Sequence, residues 1–286
     1  MVSKSLKKNS TKGQMINTKE KIIMLNKVPP PILIQAHGLP DAWYKAIREC
    51  LKHGALNERL YGKPVKTKNI VSMIEVGNPL CEPMLHEDFP TRELHLKEYL
   101  KQWERDYDWK KQGFEYNYMA RLVGYPRTDI DSDSSGYYKV KQLCEKTIDQ
   151  IKIIREKIAN RITRGGECLV SNRDQATTWV PERDLFIDED QPCMQRIQIF
   201  VYSYPRMDGD ILIPGKGEFH VDWRSRDLYA AWNSNMVGLT LMLKREIFDP
   251  LNIKIVRCVD RCSSLHLYEG DWESAEKVGP VAVMVH

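Results

Sequence analysis

The sequence predicts an α+β fold, a single domain in which helices pack on one mixed β-sheet. Three observations carry this. The strand-like runs "CMQRIQIFVYSY" and "GEFHVDWRS" follow one another with no helix between them, so the strict alternation of a doubly wound sheet is missing. The stretch "RDLYAAWNSNMVGLTLMLKREIF" is apolar around its circumference through the middle, the pattern of a helix buried on all sides. A chain of 286 residues is long enough to bury such a helix inside one large core.

Along the chain, residues 1–28 read as a flexible basic arm, rich in Lys and Ser, and residues 29–286 as the folded domain. "VPPPILIQAHG" is an extended entry, because its prolines disfavour helix for themselves and for the residues before them. "LPDAWYKAIRECLKHG" is a helix, with Pro40 at its start, Asp41 in its first turn and Gly54 as its stop. "TKNIVSMIEVGNP" alternates, is rich in β-branched residues and ends on a turn signal, so it reads as a strand. "TRELHLKEYLKQWERDYDWK" places Leu94, Tyr99 and Trp103 among charges as an amphipathic helix.

"DSDSSG" is a polar loop, and Tyr137 to about Arg161 continues as a helix with Val140, Leu143, Ile148, Ile151 and Ile154 facing the core. "ECLVSNRDQATTWVP" is a strand that ends in a loop, and "IKIVRCVDRCSSLHLY" is a last strand and turn.

Composition narrows the function classes. Charged residues make up 29% and hydrophobic residues 42%, and no apolar run approaches the roughly 20 residues that cross a bilayer, so no membrane role is expected. The net charge of +4 is small and partly confined to the arm, which argues against nucleic-acid binding. Seven scattered cysteines with no secretion signal suggest reduced thiols and a cytoplasmic protein. Cys258 and Cys262 have no second pair at zinc-finger spacing, so no metal is expected.

Chemistry-bearing residues gather in the second half. Arg224 and Ser225 fall where a strand gives way to the buried helix, so a guanidinium, a hydroxyl and free helix-start N–H groups can converge on an anion. Asn235 lies inside that helix among Trp232, Met236 and Leu239, and its buried amide needs a partner that offers both a donor and an acceptor. Cys193 precedes a strand in "DQPCMQRIQIFVY" and, taken by itself, is better read as a buried thiol.

Taken in order, "TTWVPERDL", "QPCMQRIQIFVY", "WRSRDLYAAWNSNM" and "LHLY" resemble the nucleotide-binding and nucleophile segments of the thymidylate synthase and pyrimidine hydroxymethylase family. "GLPDAWYKAIRECLKHG", "IEVGNPLCEP" and "FEYNYMARLVGYP" look like its compact archaeal-type branch, and the resemblance covers most of residues 32–270. It implies that 29–286 is a catalytic domain that pairs through its sheet face as a homodimer.

The resemblance also implies roles. Cys193 would be the thiolate that adds to C6 of a pyrimidine nucleotide, with Tyr118 assisting near it. Arg224 and Ser225 would hold the phosphate, and Arg173 would reach the phosphate site of the partner subunit. Asn235 would read the pyrimidine edge, favouring dUMP over dCMP, and His266 and Tyr268 would hold the 3′-hydroxyl. Asp227 would contact the pterin of 5,10-methylenetetrahydrofolate or a related tetrahydropterin, the implied co-substrate.

The chain departs from the family at several points. Asn172 leaves Arg173 alone where the family has two arginines, and its early arginine-rich phosphate loop is not evident between residues 55 and 70, where Lys66 and Lys68 are the candidates taken in its place. Met194 stands where classical members have His, and Trp223 where they have Gln. For the catalytic glutamate, Glu98 is the first candidate by helical context and Glu75 the second; a proton-relaying carboxyl should be partly buried, with a raised pKa.

The leading expectation is one-carbon transfer to C5 of dUMP, giving dTMP. A 5-hydroxymethylase acting on dUMP or dCMP is the alternative, and a non-catalytic nucleotide-binding relative is a second. The apolar "GPVAVMVH" at the end of the sequence reads either as a segment that closes over ligands or as a plain terminal strand.

Overall fold

The computed structural model describes residues 28–61, 63–90, 93–114, 116–132, 138–164, 170–187 and 191–281. Apart from Val28, the basic arm lies outside them. The predicted α+β architecture is present as one mixed sheet packed by helices.

The first elements follow the sequence pattern closely. Strand β1 (Pro31–Ala36) leads into helix α1 (Leu39–His53), whose Trp43, Ala46, Ile47 and Cys50 form an inward stripe of period 3.6. β2 (Ala55–Tyr61) and β3 (Lys63–Val76) form a hairpin, and β1 pairs in parallel with residues 71–76 of β3 along the same edge that β2 takes at residues 63–69. Helix α2 (Glu93–Lys101) stops before Trp103, shorter than the amphipathic pattern suggested.

The largest departure lies between 137 and 161. Residues Tyr138–Ile148 form strand β5, which pairs antiparallel with β4 (Tyr125–Ser132) in a separate two-stranded sheet. The helix, α4 (Gln150–Thr163), starts only after Asp149, whose side chain accepts a 2.9 Å hydrogen bond from Lys152 N and caps it. The apolar spacing through Val140 and Leu143 fits either period over so short a run, and the pairing with β4 decides for strand. Helix α3 (Tyr118–Val123) precedes this hairpin and is capped by Asn117.

The second half builds the sheet. β6 (Gln175–Thr177) is only three residues, far shorter than "ECLVSNRDQATTWVP" suggested, and pairs antiparallel with β7 (Met194–Ser203). After the small hairpin β8 (Arg206–Asp208) and β9 (Ile211–Ile213), β10 (Gly215–Trp223) lies between β7 and β12 (Ile253–Tyr268). The order is β1-β3-β12-β10-β7-β6, with the two-residue β11 (Arg226–Asp227) parallel to β12.

Helix α5 (Trp232–Leu243) begins six residues later than "RDLYAAWN" suggested, because 226–227 pair with β12 first. Its residues are buried nearly all the way round, as expected. It packs in the core formed with α1, α4 and the inward residues Ile74, Ile197, Ile199, Phe219, Val221 and Cys258. A short helix α6 (Trp272–Lys277) follows β12. Among the described residues no helix is long and apolar enough to cross a membrane.

The opposite face of the sheet has a different character. Register places Leu33, Met73, Arg261, Asp222 and Arg196 in one row, and Gln35, Glu75, Val259, His220 and Gln198 in the next. Arg196 and Arg261 both donate to Asp222, at 2.9 and 2.6 Å, and Arg257 joins Glu218 and Glu75. Leu33, Val71, Met73 and Tyr202 are exposed beside this charge ladder.

Candidate active site

The topology collects the candidate residues at one end of the sheet. Because β7 runs antiparallel to β10, the start of β7 lies beside the end of β10, and Met194 pairs with Trp223. Cys193 and Arg224 are therefore neighbours, joined by a 2.9 Å hydrogen bond from Arg224 N to Cys193 O. The Arg224 guanidinium donates to Pro192 O at 3.2 Å and to Gln191 O at 2.7 Å, bracing the loop that carries the partly buried thiol. Among the described residues two of its five N–H donors are used in this way, and the residue is exposed.

Ser225 follows in the turn, and β11 then sets Asp227 opposite His266. The Leu228 N–H donates to His266 O at 2.8 Å. His266 is buried, with Nδ1 3.1 Å from Ser264 O, and its ring meets Tyr268 edge-on with centroids 4.9 Å apart. Asp227 is partly buried; burial pushes its carboxyl above the ordinary range, and nearby Asp271 pushes the same way, although Ala230 N donates to it at 3.0 Å.

Under this end of the sheet lies an aromatic cavity of about 320 Å³ lined by Tyr99, Trp103, Tyr116, Asn117, Tyr118 and Asn235, among others. Tyr118 stacks on Trp103 at 5.8 Å and meets Trp223 edge-on at 5.7 Å. The Tyr116 and Tyr118 hydroxyls are 3.5 Å apart, and the backbone amide of Cys193 faces the Tyr116 phenol. Burial raises both phenols, and the neighbouring Cys193 adds to the effect. Asn235 Nδ2 donates to the Tyr99 hydroxyl at 2.7 Å.

Cys193, Tyr118, Arg224, Ser225, Asn235, Asp227, His266 and Tyr268 thus belong to one end of the sheet and the cavity beneath it. Arg173 does not. It is exposed just before β6, where Gln175 pairs with Gln198, so it lies on the order of 20 Å along β7 from Cys193 in the same chain.

Neither glutamate has the buried setting expected of it. Glu98 is exposed and pairs with Lys101 at 2.7 Å. On α2 the inward position belongs to its neighbour Tyr99, about 100° around the helix. Glu75 sits on the outer sheet face, and the Gln35 and Arg257 hydrogen bonds hold its carboxyl below the usual range, the reverse of the expectation. Lys66 pairs with Glu269 at 3.0 Å, and Lys68 donates to Leu51 O and lies over the Trp272 ring, so both are tied into local structure.

Sequence reading missed Tyr99, Trp103 and Tyr116. The i, i+4 spacing of Tyr99 and Trp103 marked a buried stripe but not a cavity, and Tyr116 shares the "YNY" run that carries Tyr118. Trp103 fits because residue 238 of α5 is glycine: a Cβ there would stand 2.2 Å from the indole nitrogen. Beneath Cys193, Arg226 stacks 3.8 Å over Trp223 and pairs with Asp260; burial pulls its pKa down to about 10, so it remains a cation at neutral pH.

A mixed α+β sheet with a cysteine, an arginine and a buried amide at one end is the class of site this chain presents. The chain is 26% identical over 247 residues to a protein of Methanococcoides burtonii named "Putative thymidylate synthase", covering 86% of this chain and 94% of the relative. Proteins of the same name from Methanosarcina acetivorans and Methanosarcina mazei are 26% and 25% identical, over 86% and 89% of this chain and 94% and 98% of theirs. No family model matches the sequence. The resemblance read from the motifs is thus shared with several archaeal relatives across most of the chain.

Proposed function

We propose that this protein is a thymidylate synthase-like one-carbon transferase acting on C5 of dUMP through a covalent adduct to Cys193, giving dTMP. The observation that carries the reading is the meeting of Cys193 and Arg224 at the β7–β10 end, above a cavity lined by Asn235 and Tyr118. The names of the archaeal relatives support the same class of activity.

In this reading Cys193 adds to C6 as the thiolate, which makes C5 nucleophilic. Arg224 keeps the thiol loop in place through two carbonyls and offers its free N–H donors, with the Ser225 hydroxyl, to the phosphate. The buried cation Arg226 stacks on Trp223, the residue next to Arg224. Asn235 reads the pyrimidine edge, and His266 with Tyr268 receives the 3′-hydroxyl.

Asp227 fits a pterin: its partly buried carboxyl with a raised pKa is suited to hydrogen-bonding a ring that carries amino and N–H groups. The reduced folate would supply both the one-carbon unit and the hydride that turns it into a methyl, itself being oxidised to the dihydro form, while C5 loses its proton and the Cys193–C6 bond breaks; the chain's part is to hold the folate and keep water away. The fully buried Met194 and Trp223 beneath the cysteine support water exclusion, and with it a methyl product.

The exposed apolar residues and the charge ladder of the outer sheet face support a homodimer joined there, with Arg173 reaching the partner subunit's phosphate site. Incubation with dUMP and methylenetetrahydrofolate, followed by mass analysis of the nucleotide, tests the reading. A gain of one methyl supports it, and a hydroxymethyl product replaces it with the 5-hydroxymethylase reading. Nucleotide binding without product supports the non-catalytic relative.

A further inference from the structure

We infer that Tyr99 is a positioning residue that sets base selectivity by fixing the orientation of the Asn235 amide. This inference rests on the proposed function, because it concerns which pyrimidine that site accepts. Tyr99 and Trp103 lie four residues apart and turn the same way, and both line the cavity that Asn235 also lines. The amide Nδ2 donates to the Tyr99 hydroxyl at 2.7 Å, and no hydrogen bond to Oδ1 comes from the described residues. The residue is only 9% exposed and lines the cavity, so the cavity is where Oδ1 meets water or a ligand.

An amide has an acceptor end and a donor end, and rotation by half a turn exchanges them. Held as it is, Asn235 presents Oδ1 and its second N–H to the cavity. That pair matches a pyrimidine edge with an N–H beside a carbonyl, as in uracil. Cytosine offers a bare ring nitrogen beside an amino group and needs the opposite orientation.

The Tyr99 hydroxyl has a single proton. With Asn235 as its donor, the hydroxyl keeps that proton for the cavity side; a flipped amide would claim it and leave the ligand one donor fewer. No carboxylate lines the cavity among the described residues, so no acid there competes for this role.

The test is calorimetric titration with dUMP and with dCMP of the wild-type protein and of Tyr99→Phe, Asn235→Ala and the double variant, with thermal melts to confirm folding. The expected result is a preference for dUMP in the wild type that falls about tenfold in Tyr99→Phe, the worth of one hydrogen bond. In the Asn235→Ala background Tyr99→Phe should change the ratio no further, which separates positioning from a general packing effect.

An undiminished ratio in Tyr99→Phe, with a wild type that prefers dUMP, overturns the inference and leaves the proposed function standing. An equal drop in the Asn235→Ala background overturns it as well, since Tyr99 would then act independently of Asn235. A wild type that binds neither nucleotide overturns the proposed function itself. If Tyr99→Phe does not fold, selective ¹⁵N-asparagine labelling of the wild type decides. A close contact of the Asn235 side-chain amide with the Tyr99 ring that persists on dUMP binding supports the inference, and loss of that contact overturns it.

Discussion

Arg226 carries its charge into the core between Trp223 and Trp232, with Asp260 as its counter-ion. Removing one partner of such a pair strands a buried charge, at a cost of about 3–5 kcal/mol. Arg226→Met should therefore lower the urea midpoint sharply, and adding Asp260→Leu should recover much of the loss. Gly238→Ala should cost about 1–3 kcal/mol in the same assay, since the new methyl meets the Trp103 indole and the cavity wall must shift.

At this scale the sequence was most informative where function depends on short motifs. Cys193, Arg224, Ser225 and Asp227 sit in segments whose internal spacing survives folding unchanged. Tyr99 was not legible, because its partner Asn235 is 136 positions away and only tertiary packing joins them. Glu98 was a reasonable candidate by helical context, but one residue along α2 separates the solvent face from the cavity face.

β10 and β12 make the outer sheet face electrostatically stiff. Glu218 is buried under the His220 and Arg257 side chains, and their hydrogen bonds outweigh burial and hold its carboxyl at about 2, against 4.5 ordinarily. Its folded-state pKa is thus depressed, so the stability it contributes is complete above pH 4.5 and is lost as pH falls toward 2. Glu218→Gln should flatten the dependence of the melting temperature on pH across that window and lower the melting temperature at neutral pH.

Elements were legible where period and termini agreed, as in α1 with its Pro40 start and Gly54 stop. The hairpin β4–β5 was not, since its second strand reads equally well as a helix until its partner strand is known. The brief β11 was hidden inside a helical pattern, because its pairing with β12 is a long-range contact that two residues cannot advertise.

The whole molecule buries one face of its sheet under α1, α4 and α5 and exposes the other with Leu33, Val71, Met73 and Tyr202 among paired charges. A homodimer through this face should sediment at twice the chain mass. Met73→Glu, which sets a further carboxylate in the row that holds Asp222 on the exposed face, should shift the protein toward monomer. If Arg173 serves the partner's phosphate, the same change should also weaken dUMP binding.

The fold class was legible because burial patterns and strand order are written locally, whereas a shared site between two copies is not. The central claim is that Cys193 activates C5 of a pyrimidine nucleotide. Release of tritium from C5-labelled dUMP in the presence of methylenetetrahydrofolate tests it most directly, comparing wild type with Cys193→Ser. Release by the wild type, and none by a Cys193→Ser protein that still binds dUMP, is the predicted result; undiminished release by Cys193→Ser, or none by folded wild type, would contradict it.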